Sequence, residues 1–147
     1  MAKKQSTEEK IVIGFFKALI WPFKVIFGRS GGVKKGEKID FEMARRKWQE
    51  INALVQMNGE SRWRGAVMEA DKLLDYGLKA RGCRGETMGE RLKYCRNDFS
   101  RAGYEAAWAG HKLRNRYAHE MDADVLQFEA KGAIKNFEIA LKDLRII

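Results

Sequence analysis

The chain has 147 residues, enough for one domain with a sizeable core and too few to expect two. With 45% hydrophobic residues and a single proline, its composition argues for a folded, helix-rich protein and against a disordered one. The net charge of +9 suits an anionic partner, but residues 1–38 hold nine basic and three acidic groups, leaving only 20 basic against 17 acidic for the rest.

Residues 1–10 are polar and charged, and residues 11–27 are then apolar apart from Lys17, Pro22 and Lys24. Lys3, Lys10, Lys17 and Lys24 recur every seven residues, which on a helix makes one slowly drifting stripe. Phe15, Phe16, Leu19, Ile20, Trp21 and Phe23 belong to the apolar cover around that stripe, which needs a large apolar partner. Seventeen residues at about 1.5 Å each fall short of a ~30 Å hydrocarbon core, so spanning a membrane is the weaker reading. An in-plane anchor fits better, with Trp21 at the interface and lysines reaching anionic headgroups. The competing reading is a helix docked on the bundle or on a second copy.

Four glycines in Gly28–Gly36 read as a flexible basic tether, and they lack the order of a phosphate-binding loop. The expected organisation is a hydrophobic N-terminal segment over 1–28, a linker over 29–38 and a helical domain over 39–147.

Asp40 can cap a helix to about Met57, with Phe41, Ala44, Trp48, Ile51, Leu54 and Val55 on its apolar face. Ser61 can cap the next, in which Trp63, Val67, Ala70, Leu73, Leu74 and Leu78 recur at helical spacing until Arg81-Gly82. A loop at Cys83–Glu86 precedes Thr87-Met-Gly-Glu90, the pattern of a capping box, which opens a short helix with Leu92 and Cys95 on one side. Asn97-Asp98 is expected to start a helix carrying Phe99, Ala102, Ala106, Trp108, Ala109 and Leu113. Asp122 or Asp124 starts the last, with Val125, Phe128, Ile134, Phe137, Leu141 and Leu144 packing back. No stretch alternates with strand periodicity, so the expected fold is an all-α bundle of about five helices, preceded by a separate N-terminal helix.

Both histidines fall within His111-Lys-Leu-Arg-Asn-Arg-Tyr-Ala-His-Glu120, at the end of the most basic part of the domain. Arginine offers a planar charged fork suited to phosphate oxygens, and histidine is the side chain that titrates nearest neutrality. A base taking a proton from a ribose 2′-hydroxyl, beside a cation clamping the phosphate, would cut RNA without a metal. At about 100° per residue, Arg114 and His119 stand roughly 140° apart on a continuous helix. Either the helix frays before His119, or the site is shared between two copies. The bland alternative is a histidine favoured by the helix macrodipole and a solvated arginine.

The order Arg114-Asn115-Arg116-Tyr117-Ala118-His119 resembles the signature of HEPN domains, small all-helical modules of prokaryotic toxins and other RNA-directed systems. The resemblance covers roughly residues 40–145 in layout. It implies a homodimer whose composite site uses Arg114 on phosphate, Asn115 as a flanking polar contact and His119 as a catalytic group. Where some toxin-type members carry a modifiable tyrosine shortly after the histidine, Glu120-Met121 stand here, so control by nucleotidylation of that tyrosine is not expected.

Arg116, His111 and Lys112 are expected to add substrate contacts, as part of a basic span that also holds Lys79, Arg81, Arg84, Arg91, Lys93, Arg96 and Arg101. No cofactor or metal is expected, because Cys83, Cys95, His111 and His119 lack the close paired spacing of structural zinc sites. The two cysteines make no disulfide framework, Cys95 reads as a small buried thiol, and the default compartment is a reducing cytoplasm, at the inner face of a membrane if the anchor operates. The expected function is RNA binding with metal-independent endoribonuclease activity, with RNA, a membrane surface, a second copy and an antitoxin or other protein as candidate partners. The alternative is a non-catalytic helical scaffold with a docking helix.

Overall fold

A computed structural model describes residues 38–120 and 124–147, all of which belong to the unit Val33–Ile147. The expected membrane segment, with Phe15, Phe16, Leu19, Ile20, Trp21 and Phe23, lies outside the described residues, as does nearly all of the tether. Among the described residues there are five α-helices and no strand: α1 Phe41–Gln56, α2 Glu60–Ala80, α3 Met88–Tyr94, α4 Arg101–His119 and α5 Gln127–Asp143. None is long and apolar enough to cross a membrane.

Local chemistry explains most of the boundaries. Asp40 caps α1 by accepting from the Met43 amide at 2.9 Å. Thr87 and Glu90 form the expected reciprocal box at the start of α3, the hydroxyl accepting from the Glu90 amide and the carboxylate from the Thr87 amide. The joint between α1 and α2 is tighter than the sequence suggests. Gly59, not Ser61, is the N-cap of α2, and its φ of 122° is open to glycine alone without strain, so the turn needs no side-chain cap.

Two later starts also differ from expectation. Asn97 and Asp98 sit in a 3₁₀ turn, Arg96–Asp98, and α4 begins after Ser100, whose hydroxyl accepts from the Gly103 amide at 3.0 Å. Helix α5 begins after Leu126 without a side-chain cap, so Asp124 does not start it; Asp122 lies outside the described residues.

Helix α2, at 21 residues, packs against each of the other four, and its Val67, Leu74 and Leu78 are fully buried. Ile51 and Val55 of α1, Leu92 of α3, Tyr117 of α4 and Phe137 and Leu141 of α5 complete that core, each apolar side chain contributing about 1.5–3 kcal/mol on burial. The inner face of α4 is not the one expected: Ala102 and Ala109 are exposed, and Gly103, Ala106, Ala107 and Gly110 face inward. Small residues let α5 approach closely. A Cβ at position 110 would stand 2.8 Å from the Phe137 ring, so Gly110 makes the room that Phe137 fills. Phe128, expected in the core, is 71% exposed.

The cysteines also depart from expectation. Cys83, after α2, and Cys95, at the C-cap of α3, are joined in a disulfide, both nearly buried. Helix α3 folds the chain back on itself, so residues 12 apart meet with Cα atoms 5.6 Å apart. Closing so short a loop is worth roughly 3 kcal/mol in the chain-entropy account. The expectation of two separate thiols is thus overturned, and with it the support that unpaired cysteines gave to a reducing compartment.

Candidate functional site

The sequence between His111 and His119 lies wholly in α4, which stays helical through His119 before Glu120 ends it. The helix does not fray ahead of the histidine. Arg114 and His119 therefore keep the roughly 140° separation that a continuous helix gives them.

His111, Arg114 and Asn115 are related by three and four residues, so they share one side of α4. They face Asp71 of α2, a carboxylate only 4% exposed. The Asp71 Oδ1 atom lies 2.8 Å from His111 Nδ1. A carboxylate can only accept, so Nδ1 carries a proton. Asn115 Oδ1 accepts from Arg114 Nη1 at 2.9 Å, which turns the Asn115 Nδ2 amide toward His111 Nε2 at 3.2 Å, and since Nδ2 can only donate, Nε2 accepts there. The Arg114 Nε atom closes the circuit 3.2 Å from Asp71 Oδ2. That last contact is an ion pair without the alignment of a hydrogen bond, so the Nε–H group is buried and poorly satisfied.

The result is a closed ring, Asp71–His111–Asn115–Arg114, binding α2 to α4. The Asp71, His111 and Arg114 side chains are only 6%, 12% and 12% exposed, so charge and hydrogen bonds are little screened. Trp108 stacks edge-on to the His111 ring at 6.0 Å and covers one side of it. Asp71 was missed by sequence reasoning. The one available signal was an acidic residue between Ala70 and Leu73 in an apolar stripe, where a lone carboxylate needs a partner.

The other expected contacts are dispersed. Arg116 is held by Glu129 of α5 at 2.6 Å, and the same carboxylate lies 3.4 Å from the Tyr117 hydroxyl. The Glu129 hydrogen bond raises the Arg116 pKa above its ordinary value, while burial, followed by the Glu129 charge, raises that of Tyr117. Arg64 of α2 donates to the Tyr117 carbonyl and lies 5.6 Å over the Tyr117 ring, answering one of the acceptors that a helix C-terminus leaves open. Lys112 and His119 are exposed. His119 adds a basic side chain to the last turn of α4 beside Arg116.

The expected basic face is largely committed within the fold. Lys79 and Arg91 pair with Asp75, Arg101 with Glu105, Arg114 with Asp71 and Arg116 with Glu129. Arg91 is itself buried, clamping α3 to α2 and donating to the Gly85 carbonyl at 2.6 Å. Arg96 and Arg84 lie over Tyr104 and Tyr94, 4.5 and 6.0 Å from the ring centres. Tyr94 is 57% exposed, so with Arg84 and Lys93 it offers an outward basic and aromatic surface.

The described residues form an all-helical bundle with a buried polar ring at its α2–α4 contact. It matches no family model, no curated protein and no solved structure. The functional reading therefore rests on the residues themselves.

Proposed function

We propose that the protein is a HEPN-like RNA-binding protein that cleaves RNA without a metal, through a site completed by a second copy of the chain. The ring of Asp71, His111, Asn115 and Arg114 carries this reading, because it fixes one edge of the Arg114 guanidinium in a set orientation. A preset cation needs little reorganisation when charge develops on a phosphate. His119 stands exposed at the end of the same helix but on another side of it, which suits a base given to a partner's Arg114. Lys112, Asn115, Arg116 and His111 would then line or support the phosphate path. An anchor over residues 1–28, a membrane surface and an antitoxin-like partner belong to this reading as further expectations.

A second reading, a non-catalytic scaffold, is favoured by one observation. The Asp71 carboxylate already balances the Arg114 charge, as a purely structural pair would.

RNA cleavage by the purified full chain separates the two. His119→Ala, at its exposed position, and Arg114→Lys, which keeps a cation beside Asp71 but loses the guanidinium fork, should each lower cleavage about 10²-fold or more with the fold intact, deoxyribose at the cut position should block it, and chelators should have no effect. No cleavage of varied RNAs by the wild type, or unchanged cleavage by both variants, would leave the scaffold.

A further inference from the structure

Cys83 and Cys95 stand apart from the ring, and a third group joins them. The 3₁₀ turn Arg96–Asp98 begins directly after Cys95, with the Asp98 amide donating to the Cys95 carbonyl at 2.9 Å. At three residues per turn, positions three apart eclipse, so Cys95 and Asp98 line up on one edge of that turn. Cys83 reaches the same point from the loop after α2. The two sulfurs and an Asp98 carboxylate oxygen all lie within 4.8 Å of one another. Neither histidine is part of this group.

We propose that this corner is a redox-gated site for a zinc-like divalent cation, closed when Cys83 and Cys95 are bonded and opened when they are reduced. A small-molecule or protein dithiol supplies the two electrons and two protons: the cystine becomes two thiols while the dithiol closes to its own disulfide. The cation then displaces both thiol protons and is held by two thiolates and the Asp98 carboxylate. Tetrahedral zinc with Zn–S bonds of about 2.3 Å requires sulfurs roughly 3.8 Å apart, so after reduction the two side chains must rotate to part the sulfurs about Cα atoms that stand 5.6 Å apart. Three protein ligands leave the fourth position to water.

Charge and burial agree with this use. Two thiolates and a carboxylate exceed the charge of a divalent cation by one, and Arg84 and Arg96 directly follow the two cysteines in sequence. Both cysteines are 6% exposed, which shields the sulfurs, while Asp98 is exposed and gives the ion an entry side. Opening the disulfide in a reducing compartment would thus exchange a covalent tie for a coordinated one and leave the loop closed.

Cobalt(II) titration of the full chain tests the site, because thiolate-to-cobalt charge transfer is a signature no other residue of this chain can give. Chain reduced with a water-soluble phosphine should bind one equivalent with that absorption, and oxidised chain should show none. Asp98→Asn, at an exposed position, should keep the circular dichroism of the wild type and weaken cobalt binding by about 10-fold or more. His119→Ala, at an exposed position, should bind as the wild type does. Absence of the charge-transfer band in the reduced chain, or equal affinity in Asp98→Asn, would overturn the proposal, as would loss of the band in His119→Ala.

Discussion

Arg114 and Arg116 stand two residues apart on α4, and each meets one carboxylate, yet the surroundings of the two pairs differ. The Arg114 and Asp71 side chains are 12% and 6% exposed and belong to a four-member ring, whereas those of Arg116 and Glu129 are 37% and 26% exposed. A buried pair contributes little over an apolar substitute, but removing one member strands the other in a low-dielectric interior. A half-exposed pair leaves its survivor to water. Geometry makes the Arg114 side of α4 a fixed element of the fold and the Arg116 side a modifiable one.

The largest effect should follow from breaking the buried pair. Asp71→Ala leaves Arg114 and the His111 Nδ1–H without their acceptor, and thermal or denaturant unfolding should report a loss of about 3–5 kcal/mol. A loss within about 0.5 kcal/mol would mean that water already satisfies these groups and that the ring does not set Arg114. Glu129→Ala should cost much less, about 0.2–1 kcal/mol in the same measurement, because Arg116 can turn to solvent. A cost equal to that of Asp71→Ala would erase the contrast between the two pairs.

The smallest effect belongs to Glu90, an exposed carboxylate held by backbone amides instead of a cation. Its pKa is lowered, first by the Thr87 amide and then by the Glu86 amide. A depressed folded value means that the stabilisation is fully present above the ordinary carboxylate range and is lost as pH falls through the lowered one. Protection of the amides at the start of α3, relative to their intrinsic exchange rate at each pH, should therefore fall as the solution is acidified below about pH 4.5, the ordinary value for Glu90. Glu90→Gln should remove most of that dependence, and an unchanged profile would point to another group.

The helices were legible where one residue carries the signal. Asp40, the Thr87–Glu90 box and the stripe from Val67 to Leu78 are local patterns, and each stands in the structure as its residues suggest. What the sequence hid depends on neighbours distant along the chain. The inner face of α4 is small because Phe137 needs the space at Gly110, so Gly103 and Gly110 face inward, and an apolar pattern that passes over glycine places Ala102 and Ala109 on the wrong side. Phe128 carries a core-like side chain at an exposed position, which hydrophobicity alone does not foresee. Cys83 and Cys95 meet only because α3 reverses the chain between them. Arg114 and Asn115 were singled out by their order, but their partner Asp71 is 40 residues from His111 and follows from no spacing rule.

The central claim is that Arg114 is preset within one chain and works with a histidine from another. Mixing the Arg114→Lys protein, which keeps a cation beside Asp71, with the His119→Ala protein, each of low activity alone, tests it most directly. A dimer of the two keeps one site with both groups, so the mixture should recover part of the wild-type RNA cleavage, rising as subunits exchange. A mixture as inactive as its components, with exchange verified by differently tagged chains, would contradict a shared site.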